Sequence, residues 1–401
     1  MTARVATASW ADLRTGRAAG VIGIVLGILA GWVALPPIST RNLVLPVVIG
    51  VAGIAAGAWA TTRGEKRVGI GAIVASLAGI VVAIFATRAS VGNLELVMSW
   101  GALTAASLVY ATPLTFAAIG GMFSERSGVV NIGLEGMMLI GAFFGAWGAD
   151  TTDSWIGGVL IALVAGAALA LVHAFFAIHL RADQIVSGTA VNFLALGITG
   201  YLYINIYGDR GTPPDLPQIP DVNLSRLQDV FFFGDAFGSL NLMIWLSIAT
   251  VALSYIAMFK TPAGLRIRSV GEHPKAADTV GIPVYRTRYV AVVVSGMLAA
   301  LGGTFLSIGF NHSFTENMTA GRGFIALAAL IFGGWRPVGA FAAALLFGFS
   351  SALAQRLGLV ESWQSYQLLF QTLPYVLTLI AVAGVIGRSI PPAAVGRPYV
   401  K

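Results

Sequence analysis

Long apolar runs separated by short polar segments make up most of the chain. A bilayer core about 30 Å thick requires roughly 20 apolar residues per helix, and many of the runs reach this length without interruption. The runs that meet this requirement as single spans are residues 18–36, 43–61, 68–87, 156–178, 184–207, 240–259, 289–310 and 367–387. The pattern therefore predicts an all-α polytopic membrane protein.

Two further apolar stretches, 94–147 and 324–357, are long enough for more than one pass, but a Gly-rich polar interruption divides each of them. The interruptions are GGMFSERSG, from Gly120 to Gly128, and GGWRPVG, from Gly333 to Gly339. Each begins with a Gly pair and then places an Arg and a later Gly. This similarity indicates either an internal repeat of the kind common in transporters or two unrelated loops.

The interruptions predict short or broken helices near 113–131 and 324–339, within a bundle of about 10–12 transmembrane helices. Lys and Arg concentrate in the segments 63–67, 260–288 and 388–401. Loops of this kind are typically cytoplasmic. We therefore expect a multi-pass protein of the bacterial cell membrane (the inner or plasma membrane), with its N- and C-termini in the cytoplasm.

Composition narrows the class of protein further. Hydrophobic residues make up 57% of the 401 residues and charged residues only 10%, against about 25% charged residues in soluble proteins. The 49 glycines favour close packing of transmembrane helices. The formal net charge is +7, but the basic residues lie in the gaps between apolar runs rather than on one face. We therefore expect contact with membrane lipid and none with nucleic acid.

The sequence lacks the motifs of ATP hydrolysis and of metal binding. A P-loop requires Gly-Lys followed by Ser or Thr, and no lysine of this chain follows a glycine. The lysines are Lys66, Lys260, Lys275 and Lys401. The histidines have no metal-ligand spacing, and there is no cysteine. We expect a chain without its own ATPase site, metal or catalytic residue.

The longest basic loop carries strong helix signals. Thr261 and Pro262 are typical of a helix start and Gly271 of a helix end, while Pro274 predicts a second short helix that ends at Gly281. A compact element of this kind is suited to docking a soluble partner. A well-capped connector without a partner would show the same pattern.

Four polar side chains lie in or beside apolar runs, where they are costly unless they face a cavity or a partner. Asn131 and Glu135 are four residues apart and share one helical face, and Gln184 and Asn192 are eight residues apart. We regard these four residues as candidates for the path of a polar solute. Structural hydrogen bonds between helices are an equally consistent role.

Four motifs carry a family resemblance. They are YATPL at Tyr110–Leu114, GGMFSERSGVVNIGLEG at Gly120–Gly136, QIVSGTAVN at Gln184–Asn192 and GLRIRSVGEHPKAADTVG at Gly264–Gly281. Together they closely resemble the ABC-transporter permeases of the branched-chain amino acid/ribose superfamily. Within that superfamily they resemble the nucleoside (simple-sugar) importer branch.

The resemblance implies a permease core at 94–387 that contains a cytoplasmic coupling loop at 260–288. An extension of about three transmembrane helices at 1–93 precedes the core, and a cytoplasmic tail follows at 388–401. The implied function is ATP-driven import of nucleosides, with simple sugars second. The residues implied to couple to the ATPase are Gly264, Arg268, Gly271, Glu272, Pro274, Ala277 and Gly281.

The resemblance also implies partners. They are a cytoplasmic ABC ATPase, which would bind the ATP and Mg, and a second related permease or a second copy of this chain. An extracellular substrate-binding lipoprotein would deliver the solute. The chain itself would need no cofactor.

An ion-coupled secondary transporter of a small polar solute is the main alternative, because broken helices and repeats occur there as well. Such transporters use ionisable relays inside the membrane, and Glu135 is almost the only acidic residue within a predicted span. An intramembrane enzyme would require paired carboxylates, a His cluster or a nucleophile motif, which the sequence lacks. The permease accounts best for the structured basic loop.

Overall fold

The computed structural model describes residues 16–34, 42–88, 99–208, 211–213, 215–228, 230, 232–358, 372 and 390–400. In chain order the helices before the strands are α1 Gly16–Ala34, α2 Val44–Thr62, α3 Lys66–Arg88, α4 Trp100–Arg126, α5 Leu134–Thr152, α6 Trp155–Ala174 and α7 Gln184–Tyr207. The later helices are α8 Ser225–Gln228, α9 Phe233–Phe237, α10 Leu242–Lys260, α11 Pro262–Glu272, α12 Pro274–Thr279, α13 Val284–Thr304, α14 Arg322–Phe332 and α15 Pro337–Gly358.

Helices account for nearly all the regular structure of the described residues. Two of them, α6 and α13, continue as π-helical segments at Phe175–His179 and Phe305–Asn311. The strands β1 Asp221–Asn223 and β2 Ser239–Asn241 pair antiparallel. Eight of the described helices are long and apolar enough to cross a membrane, which confirms the all-α polytopic class. The predicted span 367–387 lies outside the described residues apart from position 372.

The chain divides into two compact units, and the first comprises residues 1–103 and 353–388. It contains α1, α2 and α3, which coincide with the first three predicted spans. Glycine lets these helices meet backbone to backbone, since a Cβ on Gly79 would overlap the Gly27 carbonyl oxygen. Apolar side chains such as Ile28 are exposed on the outward faces, as expected of helices in lipid.

The second unit comprises residues 104–352 and 389–401. Helix α5 lies at its centre and packs against α6, α7 and α13. The backbones of α5 and α13 touch, because a Cβ on Gly303 would overlap the Met138 carbonyl oxygen. Almost every residue of α5 is buried, so this helix forms the core around which the other elements are arranged.

The first predicted helix break is confirmed, but it begins later than its Gly pair indicates. Helix α4 continues through Gly120 and Gly121 and ends at Arg126, and the non-helical segment is 127–133, hereafter the break. The prediction of a turn from Gly120 is wrong because this glycine serves helix packing. A Cβ there would lie only 2.6 Å from the Ser295 carbonyl oxygen of α13.

The second predicted break is confirmed where the sequence places it. Helix α14 has only 11 residues and ends at Phe332, and α15 begins at Pro337 after a short turn. The polypeptide before α14 is also irregular. Residues 312–321, hereafter the unwound segment, are non-helical, with left-handed backbone at His312, Asn317 and Ala320.

Candidate functional site

The four predicted path residues all lie around the break. Asn131 is within the break and Glu135 is in the first turn of α5, while Gln184 and Asn192 are on the facing helix α7. Asn131, Glu135 and Gln184 are buried. The fold therefore brings the two predicted pairs together at one place in the second unit.

Side chains of α6 and α7 pair with the backbone of Val130 in the break. Gln184 Oε1 accepts a hydrogen bond from the Val130 amide at 2.7 Å. His173 Nε2 donates to the Val130 carbonyl at 2.9 Å, and its Nδ1 lies 3.1 Å from Ser187 Oγ. Unpaired backbone groups inside a membrane are costly, so both side chains stabilise the break.

Asn192 joins the end of the break to the start of α5. Its Nδ2 donates to the Ile132 carbonyl at 3.0 Å, and its Oδ1 accepts from the Gly136 amide at 2.8 Å. The Gly136 amide belongs to the first turn of α5, where amides have no intrahelical partner. The side chain thus supplies a cap from a neighbouring helix, and both ends of its amide are occupied.

Glu135 binds the N-terminus of α14. Its Oε1 accepts from the Gly321 amide at 2.8 Å and its Oε2 from the Gly323 amide at 2.6 Å. A carboxylate is favourable there because the first amides of a helix are unpaired and carry partial positive charge. Gly323 leaves room for this contact, since a Cβ would lie 2.5 Å from the Glu135 backbone. Glu135 therefore links the break to the unwound segment.

Three buried side-chain atoms near the break and the unwound segment have no hydrogen-bond partner within the described residues. They are Asn131 Oδ1, Gln184 Nε2 and Thr319 Oγ1. The amide nitrogen of Asn131 is occupied, since Nδ2 donates to Ser295 Oγ at 2.9 Å. An unsatisfied buried polar atom costs about 1–3 kcal/mol, so water or a polar solute would be favoured beside these atoms. A path role for Asn131 and Gln184 stays a prediction.

The unwound segment runs alongside α5. The Phe314 ring lies 5.2 Å from that of Phe143 in the middle of α5, and Gly321 binds Glu135 at the first turn of the same helix. Eight residues of α5, about 12 Å at 1.5 Å per residue, separate these two contacts. The unwound segment therefore lies at the depth of a spanning helix.

Sequence reasoning treated residues 312–321 only as a gap between two spans. A polar stretch between apolar runs usually indicates a loop outside the membrane, and nothing local distinguishes this one. The apolar run that follows Gly321-Arg322-Gly323 is too short to span a bilayer by itself. This short length is the one feature of the sequence that indicates a half-helix, preceded by irregular backbone within the membrane. Its contact with Glu135 becomes visible only in three dimensions.

The two short helices predicted in the basic loop are present as α11 and α12, and together with their turns they form the two-helix segment, 261–283. Thr261 Oγ1 accepts from the Gly264 amide at 3.2 Å, as its predicted cap role requires. Gly281 has left-handed backbone (φ 84°) after α12. The predicted end of α11 at Gly271 is wrong by one residue, because this residue lies inside the helix, which ends at Glu272.

Gly271 instead provides a close contact. A Cβ on this residue would overlap the Arg126 carbonyl oxygen at the end of α4. Arg126 reaches the second Gly-rich interruption, since its Nε donates to the Trp335 carbonyl at 2.9 Å. Trp335 Nε1 in turn donates to Glu125 Oε2 at 2.5 Å. The two interruptions with similar sequences therefore bind each other, next to the contact with α11.

The predicted coupling residues divide by exposure. Gly264, Gly271 and Ala277 are buried against the rest of the unit. Arg268 is half-buried, with its guanidinium 5.0 Å from the centre of the Phe259 ring. Glu272 and Gly281 are exposed and Pro274 is half-buried, and the most exposed apolar side chains of the segment are Leu265 and Val280. Their coupling role stays a prediction. Within the described residues no group of acidic and His side chains could hold a metal ion.

The fold and these motifs together define a transport protein of known class. The chain belongs to the family described as the branched-chain amino acid transport system permease component, whose sequence model matches residues 103–382. It is therefore the permease of an ABC importer. The resemblance inferred from the motifs is confirmed, and helices α1–α3 precede the matched region.

Relatives add detail to this class. The chain is 44% identical to the guanosine ABC transporter permease protein NupQ of Bacillus subtilis, over 77% of this chain and 99% of that protein. It is 40% identical to the nucleoside ABC transporter permease protein NupC of Lactococcus lactis, over 75% and 96%. It is 36% identical to the putative glucose ABC transporter permease protein TsgC13 of Haloferax volcanii, over 65% and 79%. No solved structure matches the chain.

Proposed function

We propose that this permease imports nucleosides across the bacterial cell membrane, with simple sugars as the second candidate. Relatives support this order. Those whose names specify guanosine and nucleosides are 44% and 40% identical and are matched over nearly their whole length. The relative named for glucose is 36% identical and is matched over 79% of its length.

The unwound segment is the part of the described chain best suited to contact such a solute. Thr315, Glu316 and Asn317 are exposed at a depth where polar side chains avoid lipid and face protein or a water-filled path. They offer donors and acceptors for the hydroxyls of a ribose. Just before them, the partly exposed Phe310 ring packs edge-on to Tyr110 at 5.8 Å, and aromatic rings stack well with nucleobases.

The two-helix segment receives the motion of a cytoplasmic ABC ATPase in this proposal. Its exposed Leu265 and Val280 supply an apolar docking surface, and Gly271 passes displacement to Arg126 because the two backbones are in contact. From Arg126 the displacement reaches the α14–α15 turn through Trp335. ATP and Mg would bind to the partner, and this chain would contribute no cofactor.

The remaining partners follow from the same proposal. A second related permease, or a second copy of this chain, would complete the path, and an extracellular lipoprotein would deliver the solute. The basic two-helix segment and both termini would face the cytoplasm. The proline-rich connection 208–239 would then face the lipoprotein on the opposite side.

The test is transport by the reconstituted complex. The chain, its ATPase, its second permease and the lipoprotein are placed in proteoliposomes, and uptake of labelled guanosine and labelled glucose is measured with internal or external ATP. We expect ATP-dependent guanosine uptake that stops when the ATPase carries an inactivating P-loop substitution. Uptake of glucose without guanosine would transfer the assignment to the second candidate, and uptake indifferent to the ATPase variant would contradict the coupling scheme.

A further inference from the structure

Residues 390–400 form a compact element, hereafter the tail strap. The Val395 amide donates to the Pro392 carbonyl at 3.1 Å, and the Arg397 amide donates to the Ala394 carbonyl at 3.2 Å. Gly396 has left-handed backbone (φ 76°) that closes these turns. A short segment without helix or strand stays ordered only where other elements hold it. The contacts of the strap therefore show which elements it connects.

One set of contacts attaches the strap to the two-helix segment. The Ala394 amide donates to the Gly271 carbonyl at 2.9 Å. The Ala393 amide donates to Glu272 Oε2 at 3.1 Å. Both acceptors belong to the last turn of α11, where the backbone carbonyls have no intrahelical partner. The strap therefore continues the hydrogen bonding of α11 beyond its end.

A tyrosine anchors the strap to α12. Tyr399 is only 5% exposed and packs in a small apolar cluster with Val270, Ala277 and Val284. Its hydroxyl bonds to Asp278, and burial, together with that carboxylate, raises the pKa of the tyrosine above its ordinary value. The hydroxyl consequently stays protonated and continues to donate at any physiological pH.

A second set of contacts attaches the strap to the break. The Gly396 amide donates to the Gly128 carbonyl at 3.2 Å. Arg288, only 1% exposed, bridges the two elements, since its Nε donates to the Ser127 carbonyl and its Nη1 to the Arg397 carbonyl, each at 3.2 Å. A buried guanidinium is costly unless its donors are used. The strap supplies one of the acceptors that keep it in place.

We infer that the tail strap is a positioning element that makes the two-helix segment and the break move together during transport. This inference rests on the proposed coupling role of the two-helix segment. Apart from the strap, α11 meets the end of α4 through the contact of Gly271 with the Arg126 carbonyl, which resists compression but not separation, and through the electrostatic attraction between Glu272 and Arg126. The strap adds hydrogen bonds that resist separation, so the ATPase can pull on the break as well as push it.

The experiment compares strap variants in the complete reconstituted complex. Tyr399→Ala and deletion of 393–401 are expected to lose stimulation of ATP hydrolysis by the guanosine-loaded lipoprotein, and to lose uptake, while capture of the ATPase stays normal. Tyr399→Phe keeps the packing ring and should retain most of the stimulation. Full stimulation in both the deletion and Tyr399→Ala would overturn the inference, and so would a loss of capture that matches the loss of stimulation.

A separate variant distinguishes this inference from the proposal on which it rests. Leu265 is exposed on α11 and is not part of the apolar cluster around Tyr399, so Leu265→Asp tests docking of the ATPase. Retained capture in Leu265→Asp would contradict the coupling role itself. If Leu265→Asp loses capture of the ATPase while the strap variants keep normal stimulation of ATP hydrolysis, only the inference about the strap would be overturned.

A cross-link tests whether the strap stays attached through the cycle. The sequence contains no cysteine, so the pair Ala393→Cys and Glu272→Cys can be oxidised without competing thiols in this chain. The oxidised and reduced forms of this one variant should transport guanosine at the same rate. Transport that stops on oxidation and returns on reduction would mean that the strap must detach, which contradicts the inference.

Discussion

Two stretches of irregular backbone lie beside α5, and they differ in what surrounds them. The break at 127–133 is enclosed, and side chains of α6 and α7 pair with its Val130 amide and with its Val130 and Ile132 carbonyls. The unwound segment at 312–321 exposes several polar side chains. Irregular backbone inside a membrane is tolerated where protein encloses it or where it lines water, and this chain uses both solutions. The break is therefore a rigid, enclosed element, and in the proposed function the exposed polar side chains of the unwound segment form the working surface that contacts the solute.

Gly271→Val should have the largest effect. The new side chain would overlap the Arg126 carbonyl next to the break, so α11 must move away from α4. We expect lipoprotein-stimulated ATP hydrolysis to be abolished, measured in proteoliposomes with the partner subunits. Ala276→Val, on the exposed side of α12, is the control and should behave as the unaltered chain does. Normal stimulation in Gly271→Val would show that this contact does not connect the two-helix segment to the break.

Glu135→Ala should have the next largest effect, because it removes the link between the break and the unwound segment. Two amides lose a charged acceptor, and hydrogen bonds to charged groups contribute about 1.5–3 kcal/mol each. We expect a lower Tm of the purified chain in detergent, with Glu135→Gln intermediate because one acceptor oxygen remains. An unchanged Tm with reduced uptake would instead assign Glu135 to the solute path.

Asn192→Ala should weaken the break alone. It removes two hydrogen bonds between neutral groups, which corresponds to about 1–3 kcal/mol of stability. Thermal unfolding in detergent measures the loss, and Asn205→Ala, exposed on the same helix, serves as the control. If uptake falls while Tm stays unchanged, the break is part of the working surface and the comparison drawn above fails.

Thr315→Val should have the smallest effect on stability and a selective effect on transport. Valine keeps the shape of the exposed Thr315 side chain but removes its hydroxyl, and surface changes of this kind usually alter stability by less than about 0.5 kcal/mol. We expect a higher KM for guanosine uptake at unchanged Tm. Thr250→Val is the control, because Thr250 is half-buried on α10 and its hydroxyl bonds within that helix, to the Leu246 carbonyl. An unchanged KM would remove Thr315 from the solute path.

The spanning helices could be predicted because length and apolar composition alone decide whether a segment crosses a bilayer. The two short helices of the basic loop were also predictable, since Thr261, Pro262 and Pro274 act through local backbone chemistry. Glycine was ambiguous for a physical reason. The absence of a side chain favours both helix ends and close helix contacts, and at Gly120 and Gly271 the fold uses the second property.

The polar residues of the site could be predicted as a group but not in their contacts. Asn131, Glu135, Gln184 and Asn192 stand out because polar side chains are costly within apolar runs. Their partners are mostly backbone atoms of distant segments, such as the Gly321 amide for Glu135. The residue type at a position does not show which side chain its backbone will bind. The unwound segment escaped prediction for the same reason, because only tertiary contacts draw it alongside α5.

The hydrogen bonds that hold the break have a consequence for how the sequence tolerates change. Gln184, His173 and Asn192 bind main-chain atoms of the break, and the side chains of Val130 and Ile132 take no part in these bonds. Substitutions at Val130 and Ile132 therefore leave the pairing possible, whereas a substitution on α6 or α7 removes it. The side chains that determine the shape of the break therefore lie mainly on helices that come later in the chain. We expect substitutions on those helices, rather than in the break, to be the most damaging.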